Sequence, residues 1–178
     1  MTAINRTPTN PNFLQPNKFL LNFSRAPNIQ YFCQSVSVPG ISLSEAVLVN
    51  PLVDIYSPGE KAIYDLLNIT FFVDEELQGW KEVHDWIRAM TFPVSYDEYK
   101  QLPKLNRIAG YKQNFPQFSD ATVTLLSSSN KEYYRFKFRN CFPTTLSTFI
   151  MNASDSPDTI ITADATFRYE YYDIEKLF

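Results

Sequence analysis

The sequence predicts a mainly β domain, an antiparallel barrel or sandwich of about seven strands with one α-helix packed on it. Three observations support this fold class. Most apolar residues alternate with polar ones, which is the repeat of a strand. Aromatic residues make up 16% of the chain, and aromatic rings pack well on pleated sheets. Only residues 74–91 repeat their apolar positions every three to four residues, as a helix does.

The N-terminal part of the chain divides into an arm and two strands. Residues 1–15 are polar and rich in Pro and Asn, so they predict a flexible arm that precedes a folded domain over residues 16–178. A first strand covers residues 19–23, and a second covers residues 31–38. The second strand ends at Pro39-Gly40, a pair typical of a type II turn.

Residues 41–67 predict an extended hairpin with a turn at residues 57–60. Its apolar residues lack partners nearby in the sequence. Because exposed strand edges are normally protected, either the rest of the domain or a neighbouring molecule covers this segment.

The helix over residues 74–91 follows a strong strand over residues 68–73. Asp74 is expected to cap it, with Glu75 and Glu76 in its first turn, where carboxylates suit the helix dipole. The predicted apolar stripe contains Leu77, Trp80, Val83, His84, Ile87 and Met90. Residues 92–119 then form a long, aromatic loop, and such loops are usually functional, bound by a partner or mobile.

Three strands complete the predicted domain. They cover residues 121–125, residues 134–139 and residues 162–171, and residues 127–131 form the turn between the first two. The aromatic and aliphatic residues that face inward in this arrangement predict the core, which consists of Phe19, Phe23, Phe71, Trp80, Ile87, Phe136, Phe138, Phe167 and Tyr169.

The sequence lacks the residue sets of an active site, a metal site or a cofactor site. His84 is the only histidine and lies on the apolar helix stripe, whereas a catalytic base or a metal needs further groups nearby. The run from Asp74 to Glu76 is explained by the helix start. Cys33 and Cys141 belong to no ligand motif, and the sequence is compatible with either a disulfide or free thiols. We therefore predict a non-enzymatic protein without cofactors.

The charge distribution gives no nucleic-acid-binding stripe. The formal net charge is −3, and phosphate binding requires clustered Lys and Arg. The densest basic group, Lys131, Arg135, Lys137 and Arg139, alternates along one strand and predicts a solvated face. No run of about 18 apolar residues predicts a membrane span, and the N-terminus lacks the apolar region of a signal peptide.

Five short motifs, in this order and spacing, resemble the tail tube protein family of contractile-tailed, T-even-like bacteriophages, which is related to type VI secretion tube proteins. They are Pro16-Asn17-Lys18-Phe19, Pro39-Gly40, the Asp74-Glu75 junction with Asp85-Trp86 on the helix, Phe142-Pro143-Thr144, and Thr166-Phe167 with Tyr169.

The resemblance implies a virion protein, assembled in the host cytoplasm, that forms homohexameric rings stacked into a tube. DNA would pass through the lumen without specific binding, and sheath and baseplate or terminator proteins would be partners. A baseplate tube-initiation protein or a tube-terminal ring protein of the same fold would match equally. The predicted subunit interface comprises Val47, Val49, Val53, Ile55 and Tyr56 of the hairpin with Phe115 and Phe118 of the loop.

Two other classes of function are weighed against the tube. A host- or carbohydrate-binding β-module would need exposed aromatic residues around a pocket. An enzyme without a second histidine would have to use scattered carboxylates, such as Asp155, Asp158 and Asp164.

Overall fold

The computed structural model describes residues 12–101, 117–154, 156 and 158–177, so most of the predicted arm and much of the predicted long loop lie outside it. The described part contains strands β1 Phe19–Phe23, β2 Cys33–Ser37, β3 Ile41–Leu48, β4 Ile55–Tyr64, β5 Leu67–Phe72, β6 Ser119–Leu126, β7 Glu132–Leu146, β8 Thr162–Arg168 and β9 Tyr172–Lys176. Its helices are α1 Pro27–Phe32 and α2 Gln78–Thr91, and Tyr99–Gln101 forms a 3-10 turn.

The strands form two antiparallel sheets that share β7. Sheet A has the order β1-β6-β7-β9, and sheet B has the order β7-β8-β5-β2. The first half of β7 lies in sheet A and its second half in sheet B. Strands β3 and β4 form a separate two-stranded sheet. The predicted mainly β, antiparallel fold class is confirmed.

Strand β7 changes sheets at Asn140, which has a φ of 52°. Asparagine tolerates this left-handed conformation better than most residues do. The Asp120 carboxylate accepts the Asn140 backbone N–H at 3.2 Å, and the β6 register shifts beside it, between Ser119 and Ala121. A bulge of this kind bends a strand and lets one strand serve two sheets.

The core lies between the two sheets and α2. The ring of Phe23 packs 4.8 Å from that of Phe167 and edge-on to Trp86 at 5.9 Å. The core prediction is confirmed for Phe23, Phe71, Phe138, Phe167 and Tyr169, which are buried, whereas the other four predicted residues, Phe19, Trp80, Ile87 and Phe136, are half-buried at its margin.

Helix α2 begins four residues later than predicted. The Asp74 carboxylate does accept N–H groups of the first turn, from Gln78 at 2.9 Å and Gly79 at 3.2 Å. It reaches them from outside the helix, because Leu77 adopts a left-handed conformation with a φ of 55°. Glu75 and Glu76 therefore precede the helix instead of forming its first turn.

The buried stripe of α2 differs from the predicted one. It consists of Gly79, Val83, Trp86 and Ala89, and Trp86 donates its indole N–H to the Gln117 carbonyl at 3.0 Å. His84 lies at the edge, half-exposed, stacked on Trp80 with ring centroids 5.2 Å apart.

Two segments adopt a structure that the sequence pattern did not predict. Residues 27–32 form helix α1 where a turn and the start of a strand were predicted. Pro27 suits the first helical turn, and the Glu82 carboxylate on α2 accepts the Asn28 side-chain amide at 2.8 Å. The predicted last strand over residues 162–171 ends at Arg168 as β8, and β9, which begins at Tyr172, was not predicted.

Cys33 and Cys141 are free thiols. Burial raises the pKa of Cys141 to about 12 and that of Cys33 to about 11, so neither is a reactive thiolate near neutral pH. Within the described ranges, no three His, Cys, Asp or Glu residues are grouped to hold a metal ion. None of the helices described is long and apolar enough to cross a membrane.

Candidate assembly interface

The β3–β4 hairpin projects from the domain on a firm base. At the base, the Asp65 backbone N–H donates to the Gly40 carbonyl at 3.1 Å. The Tyr64 ring packs edge-on to Tyr172 at 5.5 Å and to Tyr169 at 6.0 Å. The hairpin is thereby anchored to the core while its remaining length forms a sheet of its own.

A bulge halfway along the hairpin depends on a glycine. A Cβ atom placed on Gly59 would lie 2.4 Å from Ser44 Oγ and 2.6 Å from the Ser44 carbonyl oxygen. The same hydroxyl accepts the Lys61 backbone N–H at 3.2 Å. The two strands thus approach each other more closely here than any side chain at position 59 would allow.

Beyond the bulge, the hairpin exposes apolar residues on both of its faces. Val47 pairs with Tyr56 on one face, and Leu48 pairs with Ile55 on the other. Leu52 in the connecting turn is 91% exposed, and Val49 is 81% exposed. Along the whole hairpin, on both sides of the bulge, the exposed large apolar residues are Ile41, Leu43, Val47, Leu48, Val49, Leu52, Val53, Ile55, Tyr56 and Ile63.

Such a ribbon is marginally stable alone in water, and a contiguous apolar surface of this kind marks an interaction site. The five predicted hairpin residues, Val47, Val49, Val53, Ile55 and Tyr56, are all exposed, and their role in an interface stays a prediction. Phe115 lies outside the described residues. Phe118 is half-buried, and its ring packs 5.7 Å from Phe142 of its own chain, so its place in an interface stays a prediction.

The sequence prediction missed half of the exposed apolar hairpin residues, namely Ile41, Leu43, Leu48, Leu52 and Ile63. The signal that could have identified them is the apolar character of both faces, since neighbouring positions such as Val47 and Leu48 are both apolar.

A groove of about 780 Å³ runs along the outer edge of β1. Phe19 and Leu21 line one side, and Tyr31 and Cys33 line the other. The Lys18 carbonyl accepts the Leu126 N–H at 2.9 Å, and because antiparallel bonding alternates, the N–H groups of Phe19 and Leu21 point into the groove. The groove therefore offers backbone hydrogen bonds beside apolar side chains.

Among the described residues, strand β9 presents a second open edge, on the opposite side of sheet A. The Leu177 N–H bonds the Tyr133 carbonyl, and the Arg139 N–H bonds the Tyr171 carbonyl, each at 3.0 Å. By the same alternation, Ile174 directs its N–H away from β7. Its side chain is exposed, so this edge too combines an available donor with an apolar group.

The sequence is similar to those of phage tail proteins. Residues 7–175 match the family described as phage tail tube protein. The tail tube terminator protein of Enterobacteria phage T4 is 25% identical over 147 residues, which are 80% of this chain and 76% of that protein.

Two solved structures share the fold. One is in the sheath–tube complex of the PVC extracellular contractile injection system in its extended state, with 15% identity, a TM-score of 0.62, and coverage of 99% of this chain and 100% of that one. The other is in the tube-terminating cap of the anti-feeding prophage, with 16% identity, a TM-score of 0.61, and coverage of 98% and 99%.

Proposed function

This chain belongs to the phage tail tube protein family, and from that premise we propose that it assembles into a hexameric ring of a tail tube through which DNA passes. It is a structural component of the phage tail and of the virion, not an enzyme. The observation that carries the proposal is the β3–β4 hairpin, whose exposed apolar residues require another protein surface.

Ring closure uses the two open edges of sheet A. Strand β9 of one copy enters the groove along β1 of the next, where the outward N–H groups of both edges find carbonyl partners. This contact is head-to-tail, and such contacts give a closed ring when the rotation between copies divides a full turn.

The shape of the domain supports one face of sheet A as the lining of the central hole. Sheet B and α2 pack on the face that carries Phe23 and Phe138. In a ring of six copies, sheet B and α2 of every copy have room on the outside of the ring but not inside its central hole. The opposite face of sheet A, with Asn22, Thr122 and Lys137 in one cross-strand row, therefore faces the lumen.

The hairpin joins one ring to the next layer of the tail. Fully burying a Val, Leu or Ile side chain contributes about 1.5–3 kcal/mol, so even partial burial of the ten exposed apolar residues gives a stable contact. Sheath and baseplate or terminator proteins are the other partners that we propose for the outer and end surfaces.

A terminal position in the tube is the second candidate. The T4 relative is a tail tube terminator protein, which favours a ring that ends the tube over a ring that repeats along it. The two positions differ in solution behaviour: a repeating subunit polymerises into long tubes, whereas a terminal ring stops at one layer.

The test replaces valines of the hairpin by an isosteric polar residue. In a Val47→Thr/Val49→Thr/Val53→Thr variant, burying each unpaired hydroxyl should raise the concentration needed for stacking of rings into layers about tenfold per substitution, or about 1.4 kcal/mol, while single rings still form. Sedimentation velocity and negative-stain microscopy measure this shift, and circular dichroism reports the fold.

The matched control is Val47→Ile/Val49→Ile/Val53→Ile, which keeps the same positions apolar and should still assemble. Stacked rings or tubes forming at the same concentration in the threonine variant as in the wild type would show that the hairpin does not join the layers.

A further inference from the structure

The lumen-side face of sheet A carries its charged residues in cross-strand rows. One row runs Leu20–Thr124–Arg135–Glu175, and the next runs Asn22–Thr122–Lys137–Asp173. Every member of these rows points away from the core face. The face is thus polar, with the cations of β7 directly opposite carboxylates of β9.

Each β7 cation on this face forms an ion pair. Arg135 lies 2.7 Å from Glu132 and 3.9 Å from Glu175, and Lys137 lies 2.8 Å from Glu175. Arg139 lies 2.9 Å from Asp120. Asp173, opposite Lys137, adds a fourth carboxylate to the three that make these pairs.

Glu175 is the central group of this arrangement. Its carboxylate lies within 4 Å of both Arg135 and Lys137. The hydrogen bond and the positive charge of Lys137 lower the pKa of Glu175, so Glu175 keeps its negative charge at neutral pH. If Glu132 and Glu175 are both replaced, Arg135 loses the two carboxylates of its ion pairs, and Lys137 loses the carboxylate nearest to it.

We infer that Glu132 and Glu175 mask Arg135 and Lys137, so that this face of sheet A does not hold a nucleic-acid polyanion. Duplex DNA binds cations that can neutralise its phosphates and displace counterions. A cation already paired with a carboxylate gains little from a phosphate, because it must give up the first partner. This inference rests on the proposed function for its biological meaning, which is that DNA slides past the wall instead of adhering to it.

The test removes the masking charges while keeping the shapes of the side chains. A Glu132→Gln/Glu175→Gln variant of the full chain is titrated against a fluorescein-labelled duplex of 20 base pairs at low salt. We expect its affinity for the duplex to exceed that of the wild type about tenfold. The fall of log affinity with log salt concentration should also be steeper, by the amount that about two additional phosphate contacts give. Fluorescence anisotropy measures both quantities.

Two further variants separate masking from net charge and from unfolding. Glu75→Gln/Glu76→Gln makes the same charge change at exposed positions before α2 and should leave DNA affinity near the wild-type level. Glu132→Gln/Glu175→Gln/Arg135→Gln/Lys137→Gln should return to that level. Equal gains in both double variants, or tight binding by the wild type, would overturn the inference.

The titration does not require rings, so its result is independent of the assembly test. If the double variant gains DNA affinity but the chain forms no rings, the charge masking is upheld and only its placement in the lumen is contradicted. In assembled rings, the double variant should carry labelled duplex along during sedimentation, and equal amounts of duplex with wild-type rings would contradict that placement.

Discussion

At the scale of single residues, the Tyr169 hydroxyl stands out because it is buried without a hydrogen-bond partner among the described residues. Its ring contacts Phe138 at 5.0 Å and Tyr64 at 6.0 Å. Burial, and then the neighbouring Tyr172, raise the pKa of this hydroxyl far above its ordinary value, so it is neutral at all physiological pH values. The ring stabilises the base of the hairpin, whereas the hydroxyl does not.

Tyr169→Phe should therefore raise the free energy of unfolding by about 1 kcal/mol, because an unsatisfied buried hydroxyl costs about 1–3 kcal/mol. Urea unfolding at a protein concentration that keeps the chain monomeric measures the change. The control is Tyr99→Phe, which removes a hydroxyl that lies 3.3 Å from Gln117 Oε1 and should lower stability or leave it unchanged. A loss of stability in Tyr169→Phe would mean that the hydroxyl has a partner, such as a bound water.

At the scale of elements, the close approach at Gly59 keeps the hairpin strands in register. Gly59→Ala would place a methyl group against the Ser44 backbone, which cannot move away without separating β3 from β4. We expect faster hydrogen–deuterium exchange over residues 41–64 and weaker assembly, with little change in the exchange of the core strands.

Gly40→Ala is the matched control for the hairpin prediction. A Cβ at position 40 meets only the end of the flexible Asp65 side chain, at 3.0 Å. Its exchange pattern should stay close to that of the wild type. Equal exchange in the two variants would show that the bulge does not fix the register.

The elements that could be predicted from sequence are those whose pattern is set locally. The alternation in β6 and β7 and the three-to-four-residue repeat in α2 result from burial on one face, so they identified strands, the helix and part of the core. Helix α1 depends instead on the contact between Asn28 and Glu82, residues far apart in the chain. The late start of α2 depends on the left-handed conformation of Leu77, which residue type alone does not favour.

The candidate interface was predicted less completely, for a different physical reason. The sequence shows that Val47, Val49 and Val53 are apolar, but burial by a partner and burial by the rest of the domain leave the same pattern. Only the fold shows that the hairpin lies apart from the core. The edges of β1 and β9 left no sequence signal, because an unpaired backbone N–H is independent of residue type.

At the scale of the whole molecule, sheet A connects the surfaces that a ring requires. Its core face supports the domain, its polar face has its cations paired, and its two edges, β1 and β9, are open. The hairpin projects separately from the end of sheet B where β2 ends and β5 begins. In the proposed assembly, contacts within a ring and contacts between layers use different elements, so each should be removable without the other.

Ile174→Pro tests this separation at the β9 edge. Proline removes the backbone N–H that points away from β7, while the bonds of β9 to β7 come from the neighbouring residues. The extended backbone accepts proline at an outward edge position. We expect a folded chain with an intact hairpin that no longer forms rings in sedimentation velocity.

Ile174→Ala, which keeps the N–H and loses only the side chain, should still form rings at a higher concentration. Rings formed equally well by the proline variant would rule out strand pairing at β9, and ring closure would then have to use another surface.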